Sequence, residues 1–226
     1  MYRVEDKFIC SERDMLLLQS RVKVVLNPDK YSRNTPYKVT SLYFDDYDDN
    51  SLVDSEDGVS HRSKYRIRMY NGASDLIKLE VKNKLYNRVQ KQACIITKEQ
   101  AKRLIGGECI SDTVETLGNP ISLFNLAIRR NVLRPKVVVE YDRNAYVFSP
   151  GNVRITFDRN IRCSMDVDKF TDNQCEYTML DESNRVLEIK YDEFLPGFIA
   201  QLLESGGMQQ TSYSKYTLCR KRMGDY

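Results

Sequence analysis

The sequence predicts an α+β fold: eight antiparallel strands, as an open sheet or a closed barrel, with inserted and flanking helices. Two observations carry the prediction. Eight segments show the residue pattern of β-strands. Most follow one another through short turn-like connections, with helices inserted rather than alternating, which disfavours a doubly wound parallel sheet. At 226 residues, 41% of them hydrophobic, the chain can bury one substantial core. No Pro/Ser-rich linker, low-complexity tract or fixed-period repeat divides it, so residues 1–226 read as a single domain.

The elements follow in order. Residues 2–10 alternate Arg3, Glu5, Lys7 and Ile9 with Tyr2, Val4, Asp6, Phe8 and Cys10, the period of a strand. The run from Ser11 to Asp14 approximates a capping box and opens a helix to about residue 26, closed by Asn27-Pro28. Residues 37–45 form a second strand, and the acidic stretch 45–57 has room for a short helix before Gly58. Three strands come closely spaced at 61–70, 76–84 and 88–97, with Asn71-Gly72 and Tyr86-Asn87 as hairpin turns. A helix over 98–105 ends at Gly106-Gly107, and another spans 120–133. Residues 136–148 and 152–163 make a hairpin across Ser149-Pro150-Gly151. Residues 185–192 are strand-like, and 196–204 form an amphipathic helix halted by Gly206-Gly207. The segment 212–222 is rich in Ser, Tyr and Lys, and its pattern assigns it no element.

Composition narrows the function classes. His61 is the only histidine, which removes charge-relay triads and two-histidine zinc sites. The six cysteines lack any C-x-x-C spacing, so they read as buried or idle thiols rather than a zinc ribbon or redox motif. Apolar runs such as 15–18 and 137–139 fall far short of the ~20 residues that span a bilayer. The charged start, Met1 to Lys7, carries no apolar signal region, so the expected location is cytoplasmic. The 35 basic and 32 acidic residues nearly cancel, which disfavours a bulk polyanion binder but does not locate the charges.

Their location on strands is informative. Arg66 and Arg68 lie two apart and share a face, with Tyr65, Ile67 and Met69 on the other. Glu5/Lys7, Glu80/Lys82 and Glu188/Lys190 repeat the pattern on three more strands, and the row Arg154, Thr156 and Asp158 repeats it on a fourth. One reading is an amphipathic sheet with its charged face in water. The other is a closed barrel whose charged faces turn inward to a wet lumen, with helices covering the apolar outside. Such a lumen suits a polyanion together with a divalent cation. Arg and Lys recognise phosphate oxygens, and Mg²⁺ or Mn²⁺ takes carboxylates and shares those oxygens. Phosphoryl transfer needs positioning and charge neutralisation more than a protein nucleophile. Neither a P-loop nor a kinase Gly-rich loop occurs.

Taken in order, these motifs resemble the VTC domain, the polyphosphate polymerase module within the CYTH or triphosphate tunnel metalloenzyme superfamily. The resemblance runs over nearly the whole chain: Arg3-x-Glu5-x-Lys7, Ser41 to Asp45, Tyr65-Arg66-Ile67-Arg68-x-Tyr70, Leu79 to Lys82, Tyr141-Asp142-Arg143-x-Ala145-Tyr146, Val153 to Asp158, Val186 to Lys190 and Ser214-Lys215-Tyr216. It implies an eight-stranded antiparallel tunnel. Carried over by motif, Lys7, Arg66, Arg68, Lys82, Arg143 and Lys215 grip phosphates and Ser214 adds a hydroxyl. Lys91 and Arg154 are further phosphate contacts, and Asp158 orients basic neighbours. Glu188 leads the metal ligands, followed by Glu5 and Glu80, for Mn²⁺ or Mg²⁺. Lys7, Arg66, Arg68, Lys82, Glu188 and Lys215 form the implied catalytic set. Two departures stand out: Ser212 occupies the place of a lysine in the fungal polymerase pattern, and Arg3 replaces the first carboxylate of the superfamily's Glu-x-Glu-x-Lys.

The resulting expectation is a metal-dependent phosphotransferase acting on ATP, triphosphate or polyphosphate. The same cations would serve a triphosphate hydrolase or a non-catalytic polyphosphate-binding module. Nucleic acid is not an expected partner, because the basic residues Arg129-Arg130 and 215–222 do not form one stripe with interleaved aromatics. The sequence assigns no oligomeric state.

Overall fold

The computed structural model describes residues 3–32, 35–73, 76–86, 88–111, 118–180, 185–205 and 208–224. Its long strands are β1 (Arg3–Cys10), β2 (Tyr37–Asp45), β3 (His61–Tyr70), β4 (Ile77–Leu85), β5 (Arg88–Ile96), β6 (Arg134–Phe148), β7 (Val153–Ser164) and β8 (Arg185–Tyr191). Each pairs antiparallel with the next in the order β6–β2–β3–β4–β5–β1–β8–β7, and β7 returns to β6, so the sheet closes into an eight-stranded barrel. The structure thus selects the closed form over the open sheet. Two-residue strands at Asn27–Pro28, Thr178–Met179 and Gln209–Gln210 extend the sheet at its margins.

The ring is unevenly stitched. β6 and β7 pair from Val138 to Phe148, whereas among the described residues β1 and β5 meet at Arg3–Val89 and Val4–Arg88 alone. Beyond that narrow seam, Gln209 and Gln210 pair with Ile9 and Phe8, and the Thr211 amide donates to the Lys7 carbonyl at 2.9 Å. The segment 209–211 therefore takes up backbone groups of β1 that β5 leaves unpaired.

Helices cover the barrel: α1 (Glu12–Val25), α2 (Asn50–Glu56), α3 (Lys98–Ile105), α4 (Pro120–Asn131), α5 (Gly197–Leu202) and α6 (Lys215–Met223). Ser11 caps α1 by accepting from the Asp14 amide at 3.1 Å, but its hydroxyl also bonds the Asp14 carboxylate, so the capping box is not reciprocal through the backbone. The reciprocal box belongs to α3, where Thr97 and Gln100 satisfy each other's amides. Asn119 caps α4, whose first residue is Pro120. The turn after β3 opens with Asn71 and Gly72, both at positive φ. Tyr86 has a φ of 52°, and its predicted turn partner Asn87 lies outside the described residues, as do Gly206-Gly207.

Apolar residues on alternate strand positions make two outer cores and one inner core. Outside, Leu104 and Phe124 of α3 and α4 pack on Leu42, Ile67, Leu79 and Val81. On the opposite side, Leu18 and Val22 of α1 and Ile199 of α5 cover Ile155, Phe157, Leu187 and Ile189. Inside, Val137, Val139, Ile161, Cys163 and Val186 meet Tyr213, Tyr216 and Cys219, so the buried Tyr216 and Cys219 of α6, with Tyr213 ahead of the helix, plug one end of the barrel.

Candidate functional site

Strand alternation turns the charged rows into the lumen. There they surround a cavity of about 590 Å³ lined by ten basic side chains and three acidic ones, Glu5, Asp6 and Glu188. Lys7, Arg66, Arg68, Lys82, Arg143, Ser214 and Lys215, seven residues selected from the sequence, line it together with Glu5 and Glu188. The register explains their meeting: Lys7 stands opposite Glu188, Glu5 opposite Lys190, and Arg66 opposite Glu80.

Three carboxylate-centred clusters organise the cations. Glu80 is fully buried and takes Arg66 Nη2 at 2.6 Å, Arg66 Nε at 2.7 Å and Lys91 Nζ at 2.9 Å, with Arg68 Nη1 at 3.8 Å. Burial pushes its carboxyl up, but the Arg66 and Arg68 guanidiniums and Lys91 outweigh that and hold it well below the usual range. Asp158, also fully buried, accepts a bidentate pair from Arg143 at 2.6 and 2.7 Å, and Lys215 lies at 2.7 Å. Such a fork fixes the guanidinium plane. The third cluster joins Glu5 to Lys82 at 2.6 Å and to Lys190 at 3.0 Å, while Lys190 also reaches Glu188 at 3.4 Å. Burial raises Glu5, but Lys190 and Lys82 prevail and bring it down to about 2. Burial takes Lys82 down to about 8 despite the Glu5 charge. Around the cations, Tyr43 Oη accepts from Arg66, while Ser41 Oγ and Tyr141 Oη accept from Arg68, so hydroxyls as well as carboxylates hold the forks in place.

Three sequence-selected residues lie away from the cavity lining. Glu80 sits behind Arg66 and Arg68, and Lys91 bonds it from a half-exposed position. Arg154 turns to Asp29 and the Tyr37 hydroxyl. Conversely, Arg62, Lys64, Lys84 and Lys190 line the cavity without having been selected as site residues. Their spacing held the signal: Arg62, Lys64, Arg66 and Arg68 form one unbroken i, i+2 row.

Among the described residues no three His, Cys, Asp or Glu side chains converge as a ready-made metal site. A hard divalent cation can nevertheless be held by one or two carboxylates completed by phosphate oxygens. Glu188, which faces the cavity with Lys190 at 3.4 Å and Arg143 at 3.7 Å, fits that donor set. Glu80 and Glu5, also selected from the sequence as ligands, fit it less well: Arg66 and Lys91 occupy the two oxygens of Glu80, which lies behind the lining, and Lys82 and Lys190 occupy those of Glu5.

Residues 2–223 match the family model described as the VTC domain. Among curated proteins none matches the chain. Solved structures of similar fold include a putative adenylyl cyclase from Hippeastrum, HpAC1, described as having a dominant triphosphatase activity. It is 14% identical with a TM-score of 0.60, and the match covers 98% of this chain and 96% of that one. The PH1012 protein from Pyrococcus horikoshii OT3 is 12% identical with a TM-score of 0.51, covering 96% of this chain and 98% of that one.

Proposed function

Because this chain belongs to the VTC domain family, we propose that its barrel is a phosphate tunnel and a metal-dependent phosphotransferase of the polyphosphate polymerase type, moving the terminal phosphoryl of a nucleoside triphosphate such as ATP onto polyphosphate. One observation carries the reading: ten cations against three carboxylates around a single cavity of about 590 Å³. A polyanion supplies the charge that the lumen lacks.

In this reading Arg66, Arg68, Lys82 and Arg143 bind the triphosphate oxygens. Glu80 and Asp158 set the guanidinium planes beforehand, which lowers the cost of ordering them at the moment of binding. Lys7 and Lys215 neutralise further oxygens, and Ser214 donates its hydroxyl. Mn²⁺ or Mg²⁺ held by Glu188 would supply further charge neutralisation at the phosphate oxygens. An acceptor phosphate attacks in line, so no histidine or protein nucleophile is required.

Incubation of the purified protein with ATP and Mn²⁺, followed by gel analysis, should yield polyphosphate, and chelation of the metal should abolish it. The description of the Hippeastrum protein as a dominant triphosphatase favours a second reading, with water as acceptor. Release of orthophosphate alone would replace the polymerase reading by that one. Turnover lost in Glu188→Gln would exclude a purely binding role.

A further inference from the structure

Three lysines stand in one row across adjacent strands: Lys64 on β3 opposes Lys82 on β4, which opposes Lys91 on β5. Like charges opposed across strands repel, so each position calls for an anion. Lys82 has Glu5 at 2.6 Å and Lys91 has Glu80 at 2.9 Å. Among the described residues Lys64 has no carboxylate at ion-pairing distance. Its Nζ donates to Ser214 Oγ at 2.9 Å and lies 5.4 Å from the centre of the Tyr216 ring.

The surroundings of Lys64 are positive. Lys7 of β1, Lys82 of β4 and Arg62 of its own strand all act on it more strongly than the Asp45 carboxylate of β2. Asp45 spends its oxygens on the Tyr216 hydroxyl and on the Ser51 and Leu52 amides. Burial first, then these neighbouring cations, hold the Lys64 ammonium well below the ordinary lysine value. Ser214 Oγ accepts from Lys64 and from the Thr217 amide and lies 3.0 Å from the Thr217 hydroxyl, so an incoming anion competes with Thr217 Oγ1 for the Ser214 proton.

We propose that Lys64 and Ser214 form a further subsite for a phosphate oxygen of the substrate, and that Lys64 takes up a proton as that anion binds. The inference rests on the tunnel reading above. The fraction of Lys64 that is unprotonated takes its proton from the buffer acid, and the ammonium pairs with the phosphate oxygen as Lys82 pairs with Glu5. No other bond forms or breaks. The neighbouring guanidiniums cannot play this part, because they stay protonated throughout.

Calorimetric titration of inorganic triphosphate into the full chain, in two buffers of different ionisation enthalpy at one pH, counts protons taken up per anion bound. Lys64→Met should weaken triphosphate by about tenfold or more and lower the count. Lys64→Arg, charged at every working pH, should keep the affinity within about threefold while losing the uptake. The proposal is overturned by a Lys64→Arg protein that takes up as many protons as the unaltered chain, or by unchanged affinity in Lys64→Met. Absence of triphosphate binding by the unaltered chain would bring down the tunnel reading itself. Binding with a proton count insensitive to Lys64→Arg removes the Lys64 assignment alone.

Discussion

Asp158 has no exposed surface, yet it receives both Arg143 and Lys215, so its removal strands two cations in the barrel wall. Asp158→Asn should cost about 3–5 kcal/mol of stability, the range for breaking a buried ion pair, measurable as a lower urea midpoint. Burial raises the Asp158 pKa, but Arg143 and Lys215 overcome it and set the folded value below the ordinary one. The stabilisation is therefore complete above the unfolded value of about 3.9. It is lost as the pH falls through the folded value, and acid titration of Asp158→Asn should lack that loss. Arg66→Ala should weaken triphosphate by about 2–3 kcal/mol, the scale of a buried charge-assisted contact. Isothermal titration measures it, and unchanged affinity would count against the tunnel. At this scale the sequence was legible where partners alternate along one strand. Arg66, Arg68, Glu188 and Lys7 could be picked by spacing. That Glu80 is consumed by Arg66 and Lys91 could not, since it depends on three strands lying side by side in one register.

At the scale of elements, α6 carries the largest difference between pattern and structure. Its buried residues are Tyr216, Thr217, Cys219 and Arg220, which make no apolar stripe, so hydropathy assigns the segment nothing. Burial is possible because polar groups find partners: Arg220 forks onto Asp49 and donates to the Tyr216 hydroxyl, which in turn donates to Asp45. Tyr216→Phe breaks the middle of that chain and leaves a buried carboxylate short of a donor. We expect a loss of about 1–3 kcal/mol and faster proteolysis after residue 214, with β6 and β7 retaining their protection. The strands were legible for the opposite reason. Strand β3 writes its two faces as cations and apolar residues, and β2, buried on both sides, sets Tyr37, Val39, Leu42, Tyr43 and Phe44 among the small polar residues Thr40 and Ser41. The closing pair β1–β8 joins residues far apart in the chain, and no local pattern specifies it.

For the whole molecule, the uneven stitching of the ring sets where it opens. Among the described residues the β1–β5 seam holds two paired positions, and it lies beside Glu5 and Lys7. Hydrogen exchange should therefore be fastest, among strand amides, at Val4 and Val89, and slowest in the middle of the β6–β7 pair around Ala145. Triphosphate binding should slow exchange at the seam, because the anion pulls Lys7 and Lys82 toward a common ligand. Comparable protection of both regions would refute the picture of a ring with one thin join.

The same closure also sets when the lumen can exist. Lys7 finds Glu188 across a sequence separation of 181 residues. At ~5–20 residues per second, a ribosome needs on the order of 10–40 s to span that distance. During that interval β3, β4 and β5 can form their meander, bringing Arg62, Lys64, Arg66, Arg68 and Lys82 together while Glu188 has not yet been synthesised. The cationic wall is thus older than the carboxylate that completes it, and the half-made protein passes through a stage more basic than the finished one.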